Sequence, residues 1–269
     1  LRLLAIGDVH VEHRANREAL VALPPQPDDW LVLAGDVSES IANLEHALDV
    51  LRPKFAQLVW VPGNHELWTV PRSGEPERGE ARYDAMVAAC RARGVLTPED
   101  EYVEWPGDRS LRIAPLFVLY DYSFAPDGIE GADAARKWAA EDGIVATDEA
   151  LLHADPHPSI DAWCRARIAR TVPRLEDASR AHRLVLINHW PLRRDLVRIP
   201  RVPRYVPWCG TRATEDWHVR YRAEVVVSGH LHVRATDHRD GVRFEEVSLG
   251  YPRDWDAKLG AATYLRRIV

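Results

Sequence analysis

Five times along this chain an apolar run breaks into a short turn that carries carboxylate, amide or imidazole side chains. The runs at 3–6, 30–34, 58–61, 184–187 and 225–227 are short and rich in Leu and Val, the pattern of buried strands. After them stand Gly7-Asp8-Val9-His10, Gly35-Asp36, Gly63-Asn64-His65-Glu66 (entered through Pro62), Asn188-His189 and Gly229-His230-Leu231-His232. Strands that end alike bring their polar turns to one edge of a sheet, where the side chains can converge. No other feature of the sequence restricts the fold as much.

Further strand-like runs lie at 111–119, 242–249 and 263–269. Residues 14–23, 41–51, 81–93 and 160–181 carry apolar residues at helical spacing, and Pro173 predicts a kink or break in the last. Alternation of strand and helix in the first third requires parallel βαβ units. The later strands lie closer together, which allows antiparallel pairs. The expected fold is α/β: a single domain over 1–269, with two mixed sheets face to face and helices outside. Residues 67–80 are rich in Pro, Gly and charge, and residues 193–211 hold five Arg among Pro and aromatics. Both read as cap insertions above the strand ends.

The 269 residues are 46% hydrophobic and 28% charged, enough for a sizeable core. A net charge of -6 argues against bulk electrostatic binding of nucleic acid. Cys90, Cys164 and Cys209 are odd in number and widely spaced, so a reducing cytoplasm is expected. No run is long enough to cross a bilayer, and residues 1–6 are too short for a secretion signal. With Leu1 in place of an initiator Met, the natural start is expected elsewhere.

The donors suit one kind of chemistry. Hydrolysing a phosphate ester near neutral pH needs a nucleophile and relief from anionic repulsion, and two metal ions about 3.5–4 Å apart supply both. Asp8 and His10 are two apart, as are His230 and His232; in extended backbone each pair points to one side. Asp36 has two oxygens with which to bridge two ions. Asn64 offers a neutral oxygen and His189 a nitrogen. With only two charged ligands, the pocket stays positive and attracts phosphate.

In order and spacing these residues resemble the calcineurin-like metallophosphoesterase superfamily, whose motifs run D-x-H, G-D, G-N-H-E/D, a single H and G-H-x-H. The resemblance spans Asp8 to His232. It implies a four-layer α/β-β/α sandwich with a binuclear site at the strand ends. Asp8, His10, Asp36 and His232 would hold one ion; Asp36, Asn64, His189 and His230 the other. His65 matches the histidine that contacts phosphate and protonates the leaving group, and Glu66 would fix its loop. The chain departs from the pattern twice. Glu39 stands where many members have an Asp that orients the histidine, and Asn188 stands where Gly usually precedes the single histidine.

The expected activity is hydrolysis of a small phosphate monoester by in-line attack of a metal-bridging hydroxide, with Asp36 and His65 as catalytic residues. The ions would be Mn²⁺ or Fe, with Zn²⁺ as an alternative. A diesterase using the same site is the runner-up, and a non-catalytic regulatory metal-binding protein the rival of another class. Arg193 and Arg194, soon after His189, and Trp68 are candidate substrate contacts. Neither a nucleic-acid nor a membrane partner is expected. Residues 153–158, with His153, Asp155 and His157 between prolines, read as a turn or helix start.

Overall fold

The computed structural model describes residues 1–71 and 74–269. Among these, ten strands follow in order: β1 (Leu3–Ile6), β2 (Gln26–Ala34), β3 (Phe55–Val61), β4 (Val103–Trp105), β5 (Asp108–Pro115), β6 (Arg183–Ile187), β7 (Ala223–Ser228), β8 (Ala235–Arg239), β9 (Val242–Glu246) and β10 (Arg266–Arg267). The α-helices are α1 (Arg14–Val21), α2 (Ile41–Leu51), α3 (Asn64–Leu67), α4 (Gly79–Arg91), α5 (Ala132–Ala140), α6 (Asp148–Leu151), α7 (Ile160–Ser179) and α8 (Trp217–Arg220).

The strands form two mixed sheets, ordered β10-β1-β2-β3 and β4-β5-β6-β7-β9-β8. β1, β2 and β3 are parallel, as are β5, β6, β7 and β9; β10, β4 and β8 are antiparallel edges. Alternation along each strand explains the layering. Leu3, Ala5, Val32, Ala34, Val59 and Val61 meet Ile113, Val185, Ile187, Val225 and Val227 in one core between the sheets. The intervening residues, such as Leu4, Ile6, Leu31, Leu33 and Leu186, face the helices in a second core. This is the two-sheet α/β fold that the sequence implies.

Helix α2 shows how the outer layer is fixed. Ser40 caps it by accepting a hydrogen bond from the Asn43 N–H, and Leu44, Leu48 and Leu51 turn inward at three- and four-residue spacing. Each buried leucine contributes about 1.5–3 kcal/mol, so Leu48→Ala would cost about 2–5 kcal/mol.

Several elements differ from expectation. α7 continues through Pro173, anchored by buried Trp163, Cys164, Leu175 and Ala178. The 111–119 run leaves the ladder after Pro115. Val118 there bonds through its N–H and C=O to the side chain of Asn188 instead of to a neighbouring strand. The 263–269 run contributes only the two residues of β10 to a strand. β4, β8 and α5 have no clear sequence signal; β8 reads Ala-Thr-Asp-His-Arg and lies on an edge. Residues 153–158 are loop and turn ahead of the Ser159 cap of α7. Part of the expected 67–80 insertion, residues 72 and 73, lies outside the described residues.

Candidate metal centre

The C-terminal ends of β1, β2, β3, β6 and β7 deliver the five motif turns. The two sheets are tied together there: Gly7 bonds through its N–H to Val247 O at 3.0 Å and through its C=O to Leu249 N at 2.8 Å. Asp8, His10, Asp36, His230 and His232 are not extended. Their φ values are 51°, 45°, 51°, 75° and 52°, in the left-handed region that non-glycine residues rarely occupy. The paired residues therefore converge through tight turns rather than through strand alternation. Each such conformation costs roughly 1–3 kcal/mol and persists only where its surroundings enforce it. Here they do. Asp8 N–H donates to Gly35 O at 2.8 Å, His10 N–H to Asp36 O at 3.0 Å, and His230 N–H to the Asp8 carboxylate at 3.0 Å. Two motif glycines are fixed by close approach: a Cβ on Gly63 would lie 2.1 Å from Asp36 Oδ1, and one on Gly229 would lie 2.3 Å from Asp8 Oδ2.

The side chains meet in adjoining groups, with Asp36 between His10 and His189. In the first, His232 Nε2 is 3.2 Å from Asp8 Oδ1 and 3.1 Å from His10 Nε2. In the second, His189 Nε2 is 3.4 Å from Asp36 Oδ2, 3.2 Å from His230 Nδ1 and 3.3 Å from Asn64 Oδ1. Asn64 Oδ1 is also 3.2 Å from His230 Nδ1. Asp8, His10 and His232 can close on one cation, and Asp36, His189 and His230 on another. All seven expected ligands thus lie together. Inward-facing imidazole nitrogens and an amide oxygen at these separations form a donor set for cations.

Outer partners aim these donors. His189 Nδ1 lies 2.9 Å from the Ala34 carbonyl, which leaves Nε2 to face inward. His232 Nδ1 is 3.3 Å from Asp254 Oδ2, and the His10 ring stacks on Tyr251 at 4.6 Å. Asn64 donates from Nδ2 to buried Asp148 Oδ1 at 3.0 Å, which turns its oxygen toward the centre. The same oxygen of Asp148 accepts from Trp68 Nε1 at 2.7 Å. Asp148, Tyr251 and Asp254 belong to no motif, and sequence reading missed them. Asn188 proves to be a clamp. Besides holding Val118, its amide donates to Trp190 O at 2.8 Å, so glycine is not needed ahead of His189. Glu66 accepts from the N–H groups of Asp36, Val37 and Gly63 at 2.7–2.8 Å, which fixes the loop as expected.

The electrostatics fit a cationic occupant. Burial drives the pKa of His10 and His230 down to about 3, so both rings stay neutral, as ligands must. Burial also disfavours charge on His189 and His232, yet the nearby carboxylates of Asp36 and Asp8 outweigh it and raise them to about 10 and about 9. The two acidic ligands therefore draw positive charge into the centre, as protons or as metal ions. His65 lies against the same donors: it clusters with His10 and Asp36, and its Nε2 is 3.9 Å from Asp36 Oδ2. Its Nδ1 is 3.0 Å from Glu39 Oε1, and its ring lies 3.7 Å from that of Trp68. Burial lowers its pKa, but Asp36 and Glu39 reverse the sign and raise it overall. Glu39, though longer than Asp, reaches the position from which it can orient the ring.

A cavity of about 750 Å³ opens over the centre, with Asp36, Asn64, His65, His230 and His232 in its floor. Trp68 lines it, but is 9% exposed and bound to Asp148. Arg193 and Arg194 do not line it. Arg193 Nε donates to Asp195 at 2.8 Å, and Arg194 Nε donates to Phe124 O at 2.6 Å. Proximity to His189 in sequence misleads here, because a short 3₁₀ turn, Arg194–Leu196, directs both side chains elsewhere. The arginines at the cavity are Arg201 and Arg253.

The sequence profile of the calcineurin-like phosphoesterases matches residues 1–234. The chain is a calcineurin-like phosphoesterase. As such it is a metal-dependent phosphoric ester hydrolase of a family that uses a binuclear centre. It is 47% identical over 255 residues to "[Acyl-carrier-protein] phosphodiesterase PptH" of Mycobacterium tuberculosis (strain ATCC 25618 / H37Rv), covering 94% of this chain and 79% of that protein. The crystal structure of Phosphopantetheinyl Hydrolase (PptH) from Mycobacterium tuberculosis superposes with a TM-score of 0.94 at 45% identity, covering 100% of this chain and 95% of that one. A relative described as a diesterase weighs against the small monoester expected from sequence. The family profile stops at residue 234, so Asp254 and Tyr251, which brace the centre, lie beyond it. No described helix is long and apolar enough to cross a membrane.

Proposed function

We propose that this phosphoesterase is a phosphodiesterase that cleaves the diester joining a phosphopantetheine arm to a serine of an acyl carrier protein. The observation that carries this reading is 47% identity, over nearly the whole chain, to a relative described as an acyl-carrier-protein phosphodiesterase. A cavity of about 750 Å³ beside the centre supports it, because it leaves room for a substrate larger than a small monoester.

Asp8, His10, Asp36 and His232 would hold one divalent ion, and Asp36, Asn64, His189 and His230 the other. Imidazole mixed with oxygen favours Mn²⁺ or Fe, with Zn²⁺ an alternative. When bound, the two ions neutralise the phosphoryl group and activate a water for in-line attack. The bond from phosphorus to the serine oxygen breaks, and His65 gives that oxygen its proton. Glu39 holds the His65 ring through Nδ1, which leaves Nε2 to face the leaving group. Trp68 packs against the same ring and limits its tilt.

The test is incubation with Mn²⁺ and a holo acyl carrier protein, followed by intact mass. Loss of the phosphopantetheine arm supports the reading, and an unchanged carrier beside rapid cleavage of p-nitrophenyl phosphate restores the monoester reading. His65→Ala is expected to keep its metals and lose about 10²–10⁴-fold in kcat. Loss of metal instead would make His65 a ligand.

A further inference from the structure

The mouth of the cavity has a surface unlike the rest of the chain. Seven large apolar side chains are exposed among the described residues, and three of them, Val145 at 74%, Val202 at 39% and Val233 at 37%, line this one cavity. They come from three separate segments: the turn before α6, the 3₁₀-rich stretch after β6, and the turn before β8. Isolated exposed valines need no explanation, but valines gathered around an active-site opening mark a contact surface.

The charge at the mouth also leans positive. The chain carries -6 overall, yet two of the three charged residues at the rim, Arg201 and Arg253 beside Asp254, are arginines. Arg253 lies 3.8 Å from Asp254, a loose contact, and Arg201 is exposed. Other arginines of the same stretch are spoken for: Arg194 bonds to Phe124 O, Arg198 to Asp237 and Arg204 to Glu141. Asp254, the acid at the rim, is engaged by His232 and by the Tyr251 N–H.

We propose that Arg201 and Arg253, with Val145, Val202 and Val233, form a docking rim for a protein partner that presents carboxylates beside apolar side chains, such as the face of an acidic amphipathic helix. The proposal rests on the carrier-protein reading and adds how the carrier is recognised. A phosphopantetheine arm alone is a neutral amide chain beyond its phosphate, so it has no use for arginines at the rim. An acidic helix does, because rim cations steer and orient such a partner.

The experiment compares Arg201→Glu and Val145→Asp with the unaltered enzyme on three substrates: a holo acyl carrier protein, a short peptide bearing phosphopantetheinyl-serine, and bis(p-nitrophenyl) phosphate. Both positions are exposed, so the variants are expected to fold, and metal content checks that the centre is intact. KM for the carrier is expected to rise on the order of tenfold in Arg201→Glu and to become less sensitive to salt, with kcat and both small substrates within about twofold. Equal loss on the peptide would overturn the proposal and assign the rim to the arm. Unchanged KM on the carrier in both variants would overturn it while leaving the carrier-protein reading intact. An unaltered enzyme that cleaves bis(p-nitrophenyl) phosphate but neither carrier nor peptide would reject that reading, and the rim with it.

Discussion

The two halves of the metal centre are built differently. The half around His189 is set in the strand ends. His189 is fully buried, its outer nitrogen faces the Ala34 carbonyl, and Asn64 is held by buried Asp148. The half around His232 leans on the chain after β9. The His232 side chain is 18% exposed, its partner Asp254 belongs to an exposed turn, and Tyr251 of that turn covers His10. Each half buries two of its ligands, Asp36 and His189 in one and Asp8 and His10 in the other, but only the second also leans on a surface turn, through His232 and the His10 ring. The difference implies unequal grip: the His189 half should bind its ion more tightly, and the His232 half should exchange more easily. Asp36, held by Glu66 through its N–H, lies beside His189 and His230 on one side and His10 on the other.

Substitutions can break or sharpen this contrast. The largest effect is expected for His189→Ala, which removes a ligand from the buried half. Turnover should fall by more than the roughly 10–100-fold typical of losing an outer partner, and excess Mn²⁺ should not restore it. Recovery on adding metal would erase the distinction between the halves. Asp148→Asn comes next. It weakens the acceptor shared by Asn64 and Trp68, so metal affinity of the buried half or kcat should drop about 10–100-fold. A calorimetric titration unchanged from the unaltered enzyme, with normal kcat, would show that Asn64 orients itself. The smallest effect belongs to Asp254→Asn. Activity at limiting Mn²⁺ should fall about tenfold and return when metal is raised. A loss that saturating metal cannot repair would mean that this turn does more than brace His232.

Much of the centre was legible because its ligands sit in ordered local motifs, each fused to a strand end. What was hidden has physical reasons. The left-handed backbone of Asp8, His10 and His230 comes from hydrogen bonds between turns far apart in sequence, so local pattern read these residues as extended. Asp148 reaches Asn64 across 84 residues and stands in no motif. Asn188 departs from the family's glycine, and the chain that needs its amide, around Val118, lies 70 residues away in sequence. Nearness in sequence points to Arg193 and Arg194, whereas Arg201, farther along the same stretch, lines the cavity. In the fold, buried strands with continuous apolar runs were legible, and the edges β4 and β8 were not, because β4 is only three residues long and polar β8 needs no second buried face.

The claim beneath all of this is that two cations share Asp36. Its most direct test is metal content by mass spectrometry after reconstitution with Mn²⁺, set against turnover, for the unaltered enzyme and Asp36→Asn. The account predicts close to two ions per chain in the first, and in the second a loss of metal together with loss of turnover. Full activity with a single ion per chain, or an Asp36→Asn variant that keeps both ions and works normally, would contradict it.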